Sequence, residues 1–296
     1  RINTLLSVNG TIEKGEAYAD QTFRTGVDID GSTTDATHYM WLAAAPSQTH
    51  GGIAGTGVVI DTDSLGNVIQ VRDDHTRIEG LEITGWPNQE SSSGWDGVNV
   101  SAADKVLLSH LLIHDDGYSA FYNANSDAIN LHQMTSGQSV TIRNSIIYNI
   151  GRGAINYQGS ENISVRIENV SIFNTGLTGV DADGAGGINI SSRLATLTVR
   201  NTISMNSQSG ADFKNAGFYG SVSSNLSSDA SAPGINSLSG RAAVNQFVST
   251  VPGSENLHLK ATSEAVDRGI NLSTDFTGDI DYNTRTAPWD IGADER

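Results

Sequence analysis

One pattern is written five times between residues 78 and 213, and it leaves the chain few ways to fold. Residues 78–85 (IEGLEITG), 108–115 (LSHLLIHD), 142–149 (IRNSIIYN), 167–174 (IENVSIFN) and 199–206 (VRNTISMN) begin 30, 34, 25 and 32 residues apart. A second short run follows each: 98–100 (VNV), 129–131 (INL), 155–157 (INY), 188–190 (INI) and, more loosely, 211–213 (ADF). Self-similarity at a period of this size marks a solenoid. The period varies while the runs keep their internal order. The variation therefore falls in the turns, and each coil adds one rung to a continuous core. The runs read as strands, so the expected fold is all-β.

These repeats resemble the right-handed parallel β-helix superfamily, which contains pectinases, polysaccharide lyases and phage tailspikes. The resemblance covers roughly residues 50–230. A second resemblance lies near the C-terminus, where 267–269 (DRG), 279–281 (DID) and 289–295 (WDIGADE) look like the closing segment of many secreted bacterial and phage-borne β-helices. The expected architecture is a single-stranded right-handed parallel β-helix over residues 51–230. An N-terminal cap over 1–50 and an irregular closing segment over 231–296 complete one structural unit. The fold hosts unrelated functions, so the resemblance constrains architecture more than activity.

Composition narrows the partners. The chain has 33 acidic and 17 basic residues, a formal net charge of −16. Such a surface disfavours nucleic-acid backbones and favours solubility and cation binding. No apolar run reaches the roughly 18 residues of a membrane-spanning helix. Cysteine is absent, so no disulfide framework holds the fold, and a long stacked core does not require one. The sequence starts at Arg1 without Met, which reads as a processed or truncated N-terminus.

Stacking the repeats in register assigns columns. Ile78, Leu108, Ile142, Ile167 and Val199 point inward, and Glu79, Ser109, Arg143, Glu168 and Arg200 outward, with Glu168 between two arginines as a surface ion ladder. Asn144, Asn169 and Asn201, and Asn149, Asn174 and Asn206, form amide columns that satisfy turn backbone. On the second strand, Asn99, Asn130, Asn156, Asn189 and Asp212 line up outward, flanked by small residues (Gly97, Ala128, Ala154, Gly187) and by Gln158 and His132. Small residues beside a row of amides make a shallow polar trough. Sugars are held by such donors and acceptors with an aromatic platform alongside, and the loops supply Trp86, Trp95, Tyr118 and Tyr122. The same row also reads as one more stabilising ladder.

The candidate catalytic groups are Asp96 and Asp127, at equivalent places on adjacent coils about 4.8 Å apart, and Asp115, Asp116 and His132. The spacing is near the roughly 5–5.5 Å between the carboxyl groups of retaining glycosidases. Strict alternation turns both aspartates inward, however, which fits capping of backbone amides. Among pectinase-like hydrolase motifs only Asp115-Asp116 has a counterpart here. For a lyase, the candidate bases are Lys105, Arg152, Arg193 and Lys214. Calcium is the one cofactor implied: Asp28 with Asp30, Asp61 with Asp63, Asp181 with Asp183, and Asp279 with Asp281 offer alternating carboxylates at turns, each of which also reads as an Asx-turn.

Three functional classes follow. The first is an extracellular, cell-surface or virion β-helix that engages a polysaccharide or cell-surface glycan through the amide-lined face. The second is a polysaccharide hydrolase or lyase using acids on that face. The third is a structural subunit of a capsid decoration, appendage or filament, self-associating or contacting virion proteins. Nucleic acid and membrane insertion are not expected.

Overall fold

The computed structural model describes residues 10–62, 66–86, 94–115, 126–177, 185–190, 196–215 and 220–296. The strands pair in parallel, each with its equivalent one coil away, and build a β-helix with three sheets along its length. The first sheet stacks Glu13–Ala17, Met40–Ala44, Thr76–Glu79, Val106–Ser109, the first part of Ser139–Ile150, the first part of Ser164–Thr175, Thr196–Arg200 and Val222–Ser223. The second stacks Val59–Asp61, Glu82–Thr84, Leu112–His114, the remainders of the two long strands, Ile203–Met205 and Leu226–Ser227. The third stacks Val27–Ile29, Ile69–Val71, Val98–Ser101, Ile129–His132, Gly153–Tyr157, Gly186–Ile190 and Phe213–Asn215.

Each eight-residue repeat is thus two strands meeting at a corner. The corner residue has a positive φ, which L-residues with a Cβ avoid and Gly and Asn tolerate best. Gly80, His110, Asn144, Asn169, Asn201 and Ser224 hold this place between the first and second sheets, with φ between 45° and 73°. Asn149, Asn174 and Asn206 hold the next corner at 54° to 59°. Both amide columns are therefore corner columns, and they bond between coils: Asn201 Nδ2 donates to Asn169 Oδ1 at 3.2 Å and Asn174 Nδ2 to Asn149 Oδ1 at 2.7 Å.

The inward column Ile78, Leu108, Ile142, Ile167 and Val199 is fully buried, and Val98, Ile129, Ile155 and Ile188 of the third sheet meet it in one core. Burying each such side chain contributes about 1.5–3 kcal/mol. Strands from the first fifty residues, expected as a cap, already belong to the ladder: Glu13–Ala17 pairs with Met40–Ala44, and Val27–Ile29 with Ile69–Val71. Their shortness, with long turns between them, hides the period in sequence.

After the last coils, parallel bridges at Ile235 and Leu238 extend the stack. A four-residue helix, Ala243–Gln246, leads into the antiparallel pair Phe247–Ser249 and Asn256–Leu259. The closing segment runs back along the outer face of the second sheet. Phe247, Leu257, Leu259, Ile280 and Ile291 pack there on Leu112, Ile146, Tyr148, Phe173, Ile203 and Met205. A sheet covered on both faces carries apolar residues at both parities, which is why this half of each repeat reads IIY or SIF. Among the described residues no helix is long and apolar enough to cross a membrane.

Candidate functional site: a polar trough on the third sheet

The third sheet keeps an open outer face. A trough of about 660 Å³ lies on it, crossing four coils from Asn67 to Gly159. Its floor is the amide column. Gln70, Asn99, Asn130, Asn156 and Asn189 occupy one register position in successive coils.

A ladder under the floor sets how these amides stand. The N–H of Asp96 donates to Asn67 Oδ1 at 2.8 Å, that of Asp127 to Asp96 Oδ1 at 3.0 Å, and that of Gly153 to Asp127 Oδ1 at 3.0 Å. Each link joins one coil to the next through a side chain. The second carboxylate oxygens hold the amides: Asp96 Oδ2 accepts from Asn99 (2.7 Å) and Asn130 (3.0 Å), and Asp127 Oδ2 from Asn156 (2.7 Å) and from Arg152 (3.0 Å). The NH2 groups of Asn99, Asn130 and Asn156 are committed to these carboxylates, and Asn156 Oδ1 is itself buried. That of Asn99 accepts from Gln70 at 3.1 Å.

Burial sets the electrostatics. Asp96 is 2% exposed and Asp127 0%. Burial raises the Asp96 pKa, against the hydrogen bonds from Asn99 and Asn130. Burial also pushes Asp127 up to about 8; Arg152 pulls it back, and the neighbouring Asp96 charge adds to the rise.

The two carboxylates expected as candidate catalysts are therefore adjacent but fully engaged. Only Asp96 borders the trough. A retaining pair must reach a ligand from both groups, and here each oxygen already accepts a hydrogen bond that holds the coils together. The capping role is the one the geometry realises.

The accessible chemistry sits on the walls. Arg72, His132, Gln133 and Gln158 are exposed, and Ser101 and Asn130 half-buried. Asn99 and Asn156, expected to face a ligand, form a nearly sealed floor instead, with Asn156 2% exposed, and Asn189, 0% exposed, does not line the trough. Sequence reasoning missed Arg72 and Gln133. A two-residue step from Gln70, the same step that leads from Asn130 to His132, finds Arg72, whereas Gln133 sits at a left-handed corner (φ 49°) that no strand register reaches.

Other expected groups lie elsewhere. Asp212 does not join the amide column, because Asn189 pairs with Lys214. The loose 211–213 run was aligned two residues out of register, and Asp212 instead accepts from the N–H of Ser207 and from Ser228. Gly97 does not face outward: a Cβ there would lie 3.1 Å from Trp86 and 3.2 Å from Ile113, both in the core. Ala128 and Ala154 are core residues. Trp86, also expected as part of an aromatic platform, is fully buried in the core, and Trp95 is partly buried against it. Asp116, Tyr118, Tyr122, Asp63, Asp181 and Asp183 lie outside the described residues.

Asp115 and His114 sit at the end of the second sheet, away from Asp96, Asp127 and His132. His114 is held at both ring nitrogens, by Asp115 at 2.8 Å and by the buried Glu82 at 3.0 Å. Burial alone would lower its pKa, but these carboxylates hold it at about 9. An imidazolium clamped on both sides is a crosslink, with no nitrogen left for proton transfer. Burial works against ionisation of Asp115 too, and the hydrogen bonds from His114 and Asn149 still bring its pKa below the usual range.

Among the described residues the calcium candidates have other partners or surroundings. Asp28 faces Arg72 at 2.6 Å and Asp61 faces Arg24 at 2.8 Å, both at the surface. Asp30 is half-buried in the turn beside Asp28. Asp279 Oδ1 caps the N–H groups of Asp281 and Asn283 at 3.0 and 2.8 Å, while Asp281 turns to His258.

The chain matches no family model and no curated protein. Among solved structures it is similar to pectate lyase Pel9A, at 13% identity over 97% of this chain and 86% of that one, with a TM-score of 0.33. At that level of similarity no residue role is carried across.

Proposed function

We propose that this protein binds a polysaccharide laid along the trough of the third sheet. The observation that carries the reading is the trough itself: an open, polar surface crossing four coils, with Arg72, His132, Gln133 and Gln158 on its walls. Coils repeat about every 4.8 Å, so a polymer with regularly spaced hydroxyls meets similar partners at each step. Hydroxyl recognition uses donors and acceptors of this kind. On this reading the protein acts outside the cell or on a virion surface, where such polymers are met.

Binding is favoured over cleavage because Asp127 is sealed and Asp96 is saturated with hydrogen bonds. A glycan array followed by calorimetry tests this. Asn130→Ala combined with His132→Ala should weaken the preferred glycan at least about tenfold, or ~1.4 kcal/mol. Unchanged affinity sinks the assignment of the trough. Assays for new reducing ends and for unsaturated uronates should stay flat, and product in either would replace binding by catalysis.

A further inference from the structure

Unlike ligand groups meet around the turn at Gly51 and Gly52, on the side of the molecule covered by the closing segment. His258, in the antiparallel pair, brings its imidazole to Asp281 and Asp294, and one ligand atom from each lies within 4.8 Å of the other two. His258 Nε2 stands 3.2 and 3.3 Å from the two oxygens of Asp281. Its Nδ1 faces Asn256 Oδ1 at 2.6 Å. With the Nδ1 proton donated to that amide oxygen, the imidazole is held so that a metal replacing the Nε2 proton would face the same carboxylates, which is how an outer oxygen orients a metal-binding imidazole. Asp294 is fixed in a similar way, with Oδ2 accepting the N–H of Leu259 at 2.8 Å.

A buried acid lies two residues from Asp281. Asp279 is 0% exposed, and its Oδ2 has no hydrogen-bond partner among the described residues. This corner gathers two carboxylates around one imidazole. The space is kept by glycine: a Cβ at Gly52 would lie 2.7 Å from His258 Cε1 and 2.9 Å from Nε2.

We propose that His258, Asp281 and Asp294 bind a divalent transition metal of the zinc class. One imidazole nitrogen and two carboxylate oxygens, with a fourth position for water, suit zinc. Calcium takes more ligands and prefers all-oxygen surroundings. The ion ties the antiparallel pair and the closing segment to each other beside the Gly51–Gly52 turn of an early coil.

Zinc chloride, and separately calcium chloride, titrated into the EDTA-treated full chain by calorimetry tests the site. One zinc per chain is expected, with calcium far weaker and a melting temperature that rises with zinc. His258→Ala and the nearly isosteric Asp281→Asn should each weaken zinc at least about tenfold, and Asn256→Ala by about 10–100-fold. Circular dichroism first establishes that each variant is folded, and Asp281→Asn decides alone if His258→Ala is not. Absence of saturable zinc binding, tighter calcium than zinc, or unchanged zinc affinity in the folded variants overturns the proposal.

Discussion

Glu168 illustrates how burial changes the weight of one residue. Its register between Arg143 and Arg200 is as read from sequence, but its partners and surroundings are not those of a surface ladder. Its side chain is 1% exposed, bonded to Arg166 at 2.9 Å and to Arg200, while Arg143 donates to the Asp275 carbonyl oxygen at 3.2 Å. The closing segment, through Asp275, covers the row. Removing one member of a buried ion pair leaves a charge uncompensated and costs about 3–5 kcal/mol, against ~0–1 kcal/mol for an exposed pair. Glu168→Ala should therefore destabilise by several times as much as Asp28→Ala, which breaks the exposed pair with Arg72. Denaturant melts of the two variants compare them directly, and equal losses would return Glu168 to the surface class.

His114 gives a pH dependence with a definite sign. Its folded pKa of about 9 lies above the ordinary histidine value of 6.5. The clamp with Glu82 and Asp115 thus stabilises fully below about pH 6.5 and fades as the pH rises through about 9, a change on the order of 3 kcal/mol. The stability gap between the native protein and His114→Gln should be wide near pH 6 and narrow near pH 10. A gap that stays constant across that range would show that the imidazole is not charged in the folded state.

At the scale of the element, the corner is the unit that repeats. Asn169 has a φ of 52°, and its Nδ2 donates to the carbonyl of Gly292 at 3.0 Å. Asn169→Ala should cost about 2–3 kcal/mol, combining the left-handed backbone with a lost buried hydrogen bond. Asn169→Gly should cost less, because glycine adopts that backbone without strain. Thermal melts that rank the two the other way round would place the importance of this residue in the side chain alone. The corner also explains why the sequence showed two strands per coil rather than three. A single positive-φ residue turns the chain without interrupting the apolar pattern, so the repeat of eight residues reads as one strand.

Over the whole molecule the three faces have different fates. The first sheet carries the charge network, the second is roofed by the closing segment, and the third remains open as the trough. Arg285 pins the roof: buried, it pairs with Glu295 at 3.1 Å and donates to Ala293 O at 2.6 Å, Gly292 O at 3.1 Å and Asn144 Oδ1 at 3.2 Å. Arg285→Leu leaves these acceptors unpaired, at about 3–5 kcal/mol. Limited proteolysis should then cut within residues 260–296 before the coils. Uniform loss of the whole chain instead would show that roof and coils unfold as one unit.

The local pattern alone was enough to specify the stacking. A column of Ile, Leu and Val, together with Asn at fixed places, can satisfy burial and corner geometry only by repeating a coil, and those requirements act between chain neighbours one rung apart. The amide row and the Asp96–Asp127 step were legible for the same reason. Which face stays open was not, because it depends on where residues 238–296 pack, and contacts at such sequence separation leave no period to read. The roof over the second sheet takes that face out of contact with solvent and leaves the trough on the third open. Folding back of the chain also brings His258, Asp281 and Asp294 together from positions 23 and 13 residues apart, a meeting that only the tertiary structure could decide.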